Sequence, residues 1–84
     1  MPNEPEHKPK LYHFFVDGKK YETDKPNIAG GEIKTLASVP APYQLFLEEH
    51  GTAPDRVISD GETISLEHDT KHFYAVPPAT FGDL

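Results

Sequence analysis

Two runs rich in β-forming residues meet at one dipeptide, Asp17-Gly18. Leu11-Tyr12-His13-Phe14-Phe15-Val16 precedes it and Lys19-Lys20-Tyr21-Glu22-Thr23 comes after it. An Asp-Gly between two such runs marks a tight turn and is a strong short-range signal for a β-hairpin. Side chains alternate along a strand, so Tyr12, Phe14 and Val16 share one face, with Tyr21 and Thr23 joining them across the turn. Leu11, His13 and Phe15 then face the other way. Phe15 on that outer face is the first sign of a binding surface.

The next segment changes period. Pro26 stops the second strand, because proline lacks a backbone donor. Gly30-Gly31 precede Ile33, Leu36 and Ala37, whose i, i+3, i+4 spacing puts one apolar face on a helix of about two and a half turns. Ile28 is placed to staple the start of that helix. A phosphate-binding loop would need a Lys-Ser/Thr after the glycines, and acidic Glu32 stands there instead, so the pair is read as a helix start. Pro40 and Pro42 end the helix and force an extended crossing.

Period two then returns. In Tyr43 to Glu49, Leu45 and Leu47 face a core and Phe46 faces outward. Gly51 to Pro54 is a turn, Arg56-Val57-Ile58 a short strand, Asp60-Gly61 a second turn, and Thr63-Ile64-Ser65-Leu66 comes next. His68 to Thr70 turn the chain into a last strand, Lys71 to Val76. That strand puts Phe73 and Ala75 on one face and Tyr74 and Val76 on the other. A hairpin, a crossing helix and a returning strand describe an α+β β-grasp. We expect a mixed sheet of four to five strands, with the first and last strands parallel and adjacent at its centre. Its uncovered face would carry Phe46, Tyr74, Val76 and Phe15 as a candidate partner-binding patch.

Composition narrows the function classes. Eighty-four residues make one small domain, and four tyrosines and five phenylalanines must fill much of its core. The absence of cysteine excludes disulfides and thiolate chemistry, and no apolar run suggests a leader or a membrane span. A cytoplasmic protein without a membrane partner is expected. A net charge of −6 argues against nucleic acid, which demands a basic face, and favours a basic partner. His68 and His72 have the spacing of a helical metal pair, but they fall on a turn and a strand. Glu48, Glu49, Asp55 and Glu62 form no acid/base pair, and no serine or cysteine has a base beside it, so we expect neither enzyme activity nor a cofactor. Lys8, Lys10, Lys19, Lys20, Lys25, Lys34 and Lys71 are read as exposed, solubilising side chains that can also accept a modifier.

The chain divides into three segments. Residues 1–9, with three prolines, read as a disordered arm. Residues 10–77 read as the folded domain, and 78–84 as a flexible tail. Pro77-Pro78 cannot continue the last strand, and Gly82 stands near the end of the tail, ahead of Asp83-Leu84. The tail is either an ordinary frayed end or the working part of the molecule.

Several stretches together resemble a known family. They are Phe15-Val16-Asp17-Gly18-Lys19-Lys20-Tyr21-Glu22, Pro26-Asn27-Ile28-Ala29-Gly30, Tyr43-Gln44-Leu45-Phe46-Leu47, and Phe73-Tyr74-Ala75-Val76-Pro77-Pro78-Ala79-Thr80-Phe81-Gly82. The chain resembles, over residues 10–82, the bacterial multiubiquitin family of ubiquitin-like β-grasp modifiers. The family's tandem copies and a terminal Gly-Gly are both lacking here. The resemblance implies a C-terminal glycine carboxylate that is adenylated, passed as a thioester and joined to an amine. It implies as partners activating-like and conjugating-like enzymes, a JAB-type metalloprotease and a target protein, in a conjugation system directed against phage. ATP would be used by the activating partner. On this reading Gly82 is the conjugated residue, Asp83-Leu84 is removed by the protease, and Phe81 is read by the processing enzymes. The rivals are a sulfur carrier of the same fold, which usually ends directly in Gly-Gly, and a non-conjugated binding module.

Overall fold

The structure, a computed structural model, describes residues 10–79. The hairpin forms where the sequence places it. Strand β1 (Tyr12–Val16) pairs antiparallel with β2 (Lys19–Thr23), Phe14 opposite Tyr21 and Phe15 opposite Lys20. Asp17 and Gly18 both take positive φ, 53° and 79°, which is the pair of left-handed residues that a type I′ turn requires.

Next along the chain come β3 (Asn27–Ala29), helix α1 (Gly30–Leu36), β4 (Gln44–Leu47), β5 (Arg56–Ile58), β6 (Thr63–Ser65) and β7 (Lys71–Val76). The main sheet has the order β2-β1-β7-β4-β5. Strands β1 and β7 are parallel, with Phe15 beside His72, and the other neighbours are antiparallel. The first and last strands therefore lie side by side near the centre, as expected of a ubiquitin-like β-grasp. One face of the sheet carries Phe14, Val16, Leu45, Leu47, Ile58 and Phe73, all buried with Ile28, Ile33, Ile64 and Leu66 in a single core. A fully buried side chain of this size contributes about 1.5–3 kcal/mol.

A second, two-stranded sheet goes beyond what the sequence predicts. Asn27–Ala29 pairs with Thr63–Ser65, Ile28 opposite Ile64. Ile28 is 1% exposed, so it is a strand residue in the core and not only a staple before the helix. Glycine at position 30 allows the helix to start hard against this region. A Cβ there would lie 2.3 Å from the Ser59 carbonyl oxygen. The Gly30 and Gly31 N–H groups donate to the carbonyls of Glu62 and Asp60, which satisfies two donors that a helix start leaves open.

The helix is shorter than its spacing predicts, seven residues, and its faces differ from expectation. It stops before the prolines, at a Schellman motif. Ser38 turns left-handed (φ 58°), its N–H donates to the Thr35 carbonyl, and Val39 donates to the Lys34 carbonyl at 2.8 Å. Ile33 is buried and Ala37 packs on the core, but Leu36 on the last turn is 44% exposed. Lys34, expected among exposed lysines, is buried instead. Its ammonium meets Asp60 Oδ1 at 3.1 Å and the Ala41 carbonyl at 3.1 Å, so the charge enters the fold already paired.

Candidate docking face and tail exit

The sheet's other face is open, and pairing decides what stands on it. Phe46 lies opposite both Tyr74 on β7 and Val57 on β5, and Gln44 lies opposite Val76. Phe15 and His72 are neighbours across the parallel β1–β7 pair. All four residues expected on the outer face stand there. The Phe46 and Tyr74 rings stack with centroids 5.3 Å apart and planes 7° apart. The Phe15 and His72 rings do the same at 4.8 Å and 5°. His72 and Tyr74 are two apart on one strand, so the two stacks sit next to each other on β7. Phe15 therefore meets His72 directly, and reaches Phe46 only through β7.

Val57 and Val76 flank the stacks, 48% and 37% exposed, more than a large aliphatic side chain commonly is. Val57 completes the row from β1 to β5. It does not stand out in the sequence, because a three-residue strand has too few residues to show its alternation. His72 draws attention there only as a metal ligand, not as a stacking partner. Among the described residues, no group of three or more histidines, cysteines and carboxylates is arranged to hold a metal ion, and no helix is long and apolar enough to cross a membrane.

A further residue that sequence reasoning misses fixes the geometry. The Tyr74 hydroxyl donates to Asp55 Oδ2 at 2.7 Å, and the Glu49 N–H donates to Asp55 Oδ1 at 3.1 Å. These bonds favour the ionised carboxyl and hold Asp55 below its ordinary pKa, the Tyr74 bond more than the Glu49 one. The same bond, then burial and the Asp55 and Glu48 charges, raise the Tyr74 phenol. Asp55 thus clips the loop before β5 onto the ring that stacks on Phe46. Asp55 and Glu48 place negative charge near Tyr74, while Lys20 and His13, the latter 3.4 Å from Glu22, lie toward β2.

The chain leaves the sheet at the edge of this face. Val76 is the last residue of β7, and Pro77, Pro78 and Ala79 beyond it are exposed. Phe81, Gly82 and Asp83 lie outside the described residues.

The multiubiquitin family model matches residues 12–77, from the first residue of β1 to the first proline after β7. The chain belongs to the multiubiquitin family. The match takes in both stacked pairs and the exit of the tail, and stops short of Gly82. No curated protein and no solved structure gives a significant match. A multiubiquitin domain of this kind is a small ubiquitin-like module, and such modules are in general not enzymes.

Proposed function

We propose that this multiubiquitin-family chain is a protein modifier, attached to amines through Gly82. The observation that carries the reading is the exit of β7. A strand held near the centre of the sheet ends at Val76, beside the outer-face stacks, and the chain continues into exposed Pro77-Pro78-Ala79. Gly82 lies six residues past Val76, a reach of about 20 Å when extended. Glycine suits the end of such a tail, because without a Cβ it passes a narrow channel and leaves its carbonyl open to attack.

A JAB-type protease removes Asp83-Leu84 and frees the Gly82 carboxylate. An activating enzyme joins that carboxylate to AMP from ATP, releasing pyrophosphate. A cysteine thiolate displaces AMP to give a thioester, and a target amine displaces the thiol to give an amide. Meanwhile the Phe46–Tyr74 and Phe15–His72 stacks, with Val57 and Val76, dock the partner enzymes, and Phe81 is read at the processing step. The setting proposed is a bacterial cytoplasmic system acting against phage. The processed chain, incubated with its activating partner and ATP, is expected to form an adduct that a reducing agent removes. An adduct that forms equally well on a Gly82→Ala chain contradicts this reading.

A second reading has its own support: the docking face is complete without the tail, since both stacks lie within β1, β4 and β7. A non-conjugated binding module would use that face alone. Partner binding that survives Gly82→Ala, with no covalent adduct on the parent chain, favours it.

A further inference from the structure

Asp17 sits in the hairpin turn, 58 residues away from Ala75 in the chain, and reaches the last strand just before the tail. Its backbone N–H donates to the Phe73 carbonyl at 2.9 Å. In a parallel ladder the next rung would run from the Ala75 N–H back to the Asp17 carbonyl. The chain reverses at Asp17, with φ 53°, and carries that carbonyl into the turn. The Ala75 N–H donates instead to the Asp17 carboxylate, at 3.2 Å to Oδ1. The side chain takes the place of the main-chain acceptor that the turn has removed. On the other edge of β7 the register with β4 runs one residue further, Gln44 opposite Val76. Along the β1 edge, among the described residues, Asp17 is the last hold on the strand.

We propose that Asp17 is a positioning residue for the tail: its carboxylate fixes the β1 edge of the last strand at Ala75, one residue before the chain leaves the sheet. This rests on the tail being the part that an activating partner receives. A partner docked on the outer face meets the tail at a fixed origin, Val76, and a shift of one or two residues there moves the glycine away from the reacting centre. Without the carboxylate, Ala75 and Val76 are held from the β4 side alone, and the end of the strand is free to shift about that edge.

Two substitutions separate this role from that of the turn. Asp17→Asn introduces a side chain that tolerates positive φ and keeps an Oδ1 acceptor. Asp17→Gly takes positive φ freely and has no acceptor. Amide hydrogen exchange on the full chain, followed by NMR, is read at Ala75, with Val39 and Leu66 as references because their N–H groups are bonded elsewhere in the fold. Asp17→Gly is expected to speed exchange at Ala75 roughly 3- to 10-fold and leave the references unchanged, while Asp17→Asn stays near the parent. Unchanged protection at Ala75 in Asp17→Gly, or equal acceleration at all three amides, overturns the proposal. Thioester formation by the processed chains, ending at Gly82, with the activating partner and ATP is the second readout: slowed in Asp17→Gly, restored in Asp17→Asn. A parent rate in Asp17→Gly overturns the functional half. A processed parent chain, ending at Gly82, that forms no thioester refutes the conjugation reading, and with it that functional half, while the exchange data alone decide whether Asp17 holds Ala75.

Discussion

The Tyr74 hydroxyl and the Asp55 carboxylate, 2.7 Å apart, join the last strand to the loop before β5 and set the ring that stacks on Phe46. The bond holds Asp55 below its ordinary value of 3.8 and Tyr74 above its ordinary 10.0. A carboxyl lowered by folding adds stability above its unfolded pKa, and loses it as pH falls through the folded value. A phenol raised by folding adds stability below its unfolded pKa, and loses it as pH rises through the folded value. Tyr74→Phe is therefore expected to be less stable than the parent at neutral pH. The gap should close toward strong acid and again above the tyrosine range. Urea midpoints measured from about pH 2 to about pH 12 check this, and a gap constant across that range contradicts it.

The burial of Lys34 separates it chemically from the other described lysines. Its side chain is 10% exposed and its ammonium is engaged by Asp60 and Ala41. Acetylation of the native chain, mapped by peptide mass spectrometry, is expected to mark the exposed Lys19 and Lys20 early and Lys34 only after unfolding. Equal rates would show that the helix opens freely. The same burial makes Lys34 a poor acceptor for any modifier in the folded state.

Gly30 is where the helix touches the chain after β5. Gly30→Ala places a Cβ 2.3 Å from the Ser59 oxygen, a backbone atom that cannot step aside cheaply. Overpacking of this kind costs about 1–3 kcal/mol, on the order of 10 °C in Tm for a domain of this size. Gly31→Ala, whose Cβ meets nothing closer than 3.4 Å, is the control and should move Tm far less. Equal losses in the two variants would contradict the contact.

Much of the fold is legible in the sequence because its signals are local. The hairpin needs only alternation and Asp17-Gly18, and the outward Phe46 and Tyr74 come from period two in β4 and β7. The features that escape the sequence depend on distant partners. Strands β3 and β6 have three residues each, too few for a period, and exist because Ile28 meets Ile64 from 36 positions away. Lys34 reads as a surface residue because its counterion, Asp60, comes from beyond β5. Leu36 reads as core because its spacing from Ile33 is helical, but the helix ends there. Asp55 carries no signal at all, since its role exists only once β7 lies beside the loop. The roles assigned to Phe81, Gly82 and Asp83 fall outside residues 10–79 and rest on the sequence.

The helix stop itself can be improved. Ser38 occupies the left-handed position of the Schellman motif, φ 58°, where a Cβ is unfavourable by about 1 kcal/mol or more. Ser38→Gly is expected to raise Tm by a few degrees, read by thermal denaturation. A fall in Tm would mean that the serine hydroxyl contributes more than its backbone conformation costs.

Gly82 as the conjugated end of the tail is the point on which the proposed function stands or falls. Peptide mass spectrometry decides it, on adducts of this chain isolated from cells that express it with its partner enzymes. Branched peptides are expected in which Gly82 is amide-linked to an amine of another protein, with Asp83 and Leu84 gone. Recovery of the chain solely in unbranched form, still ending in Asp83-Leu84, would contradict the proposal.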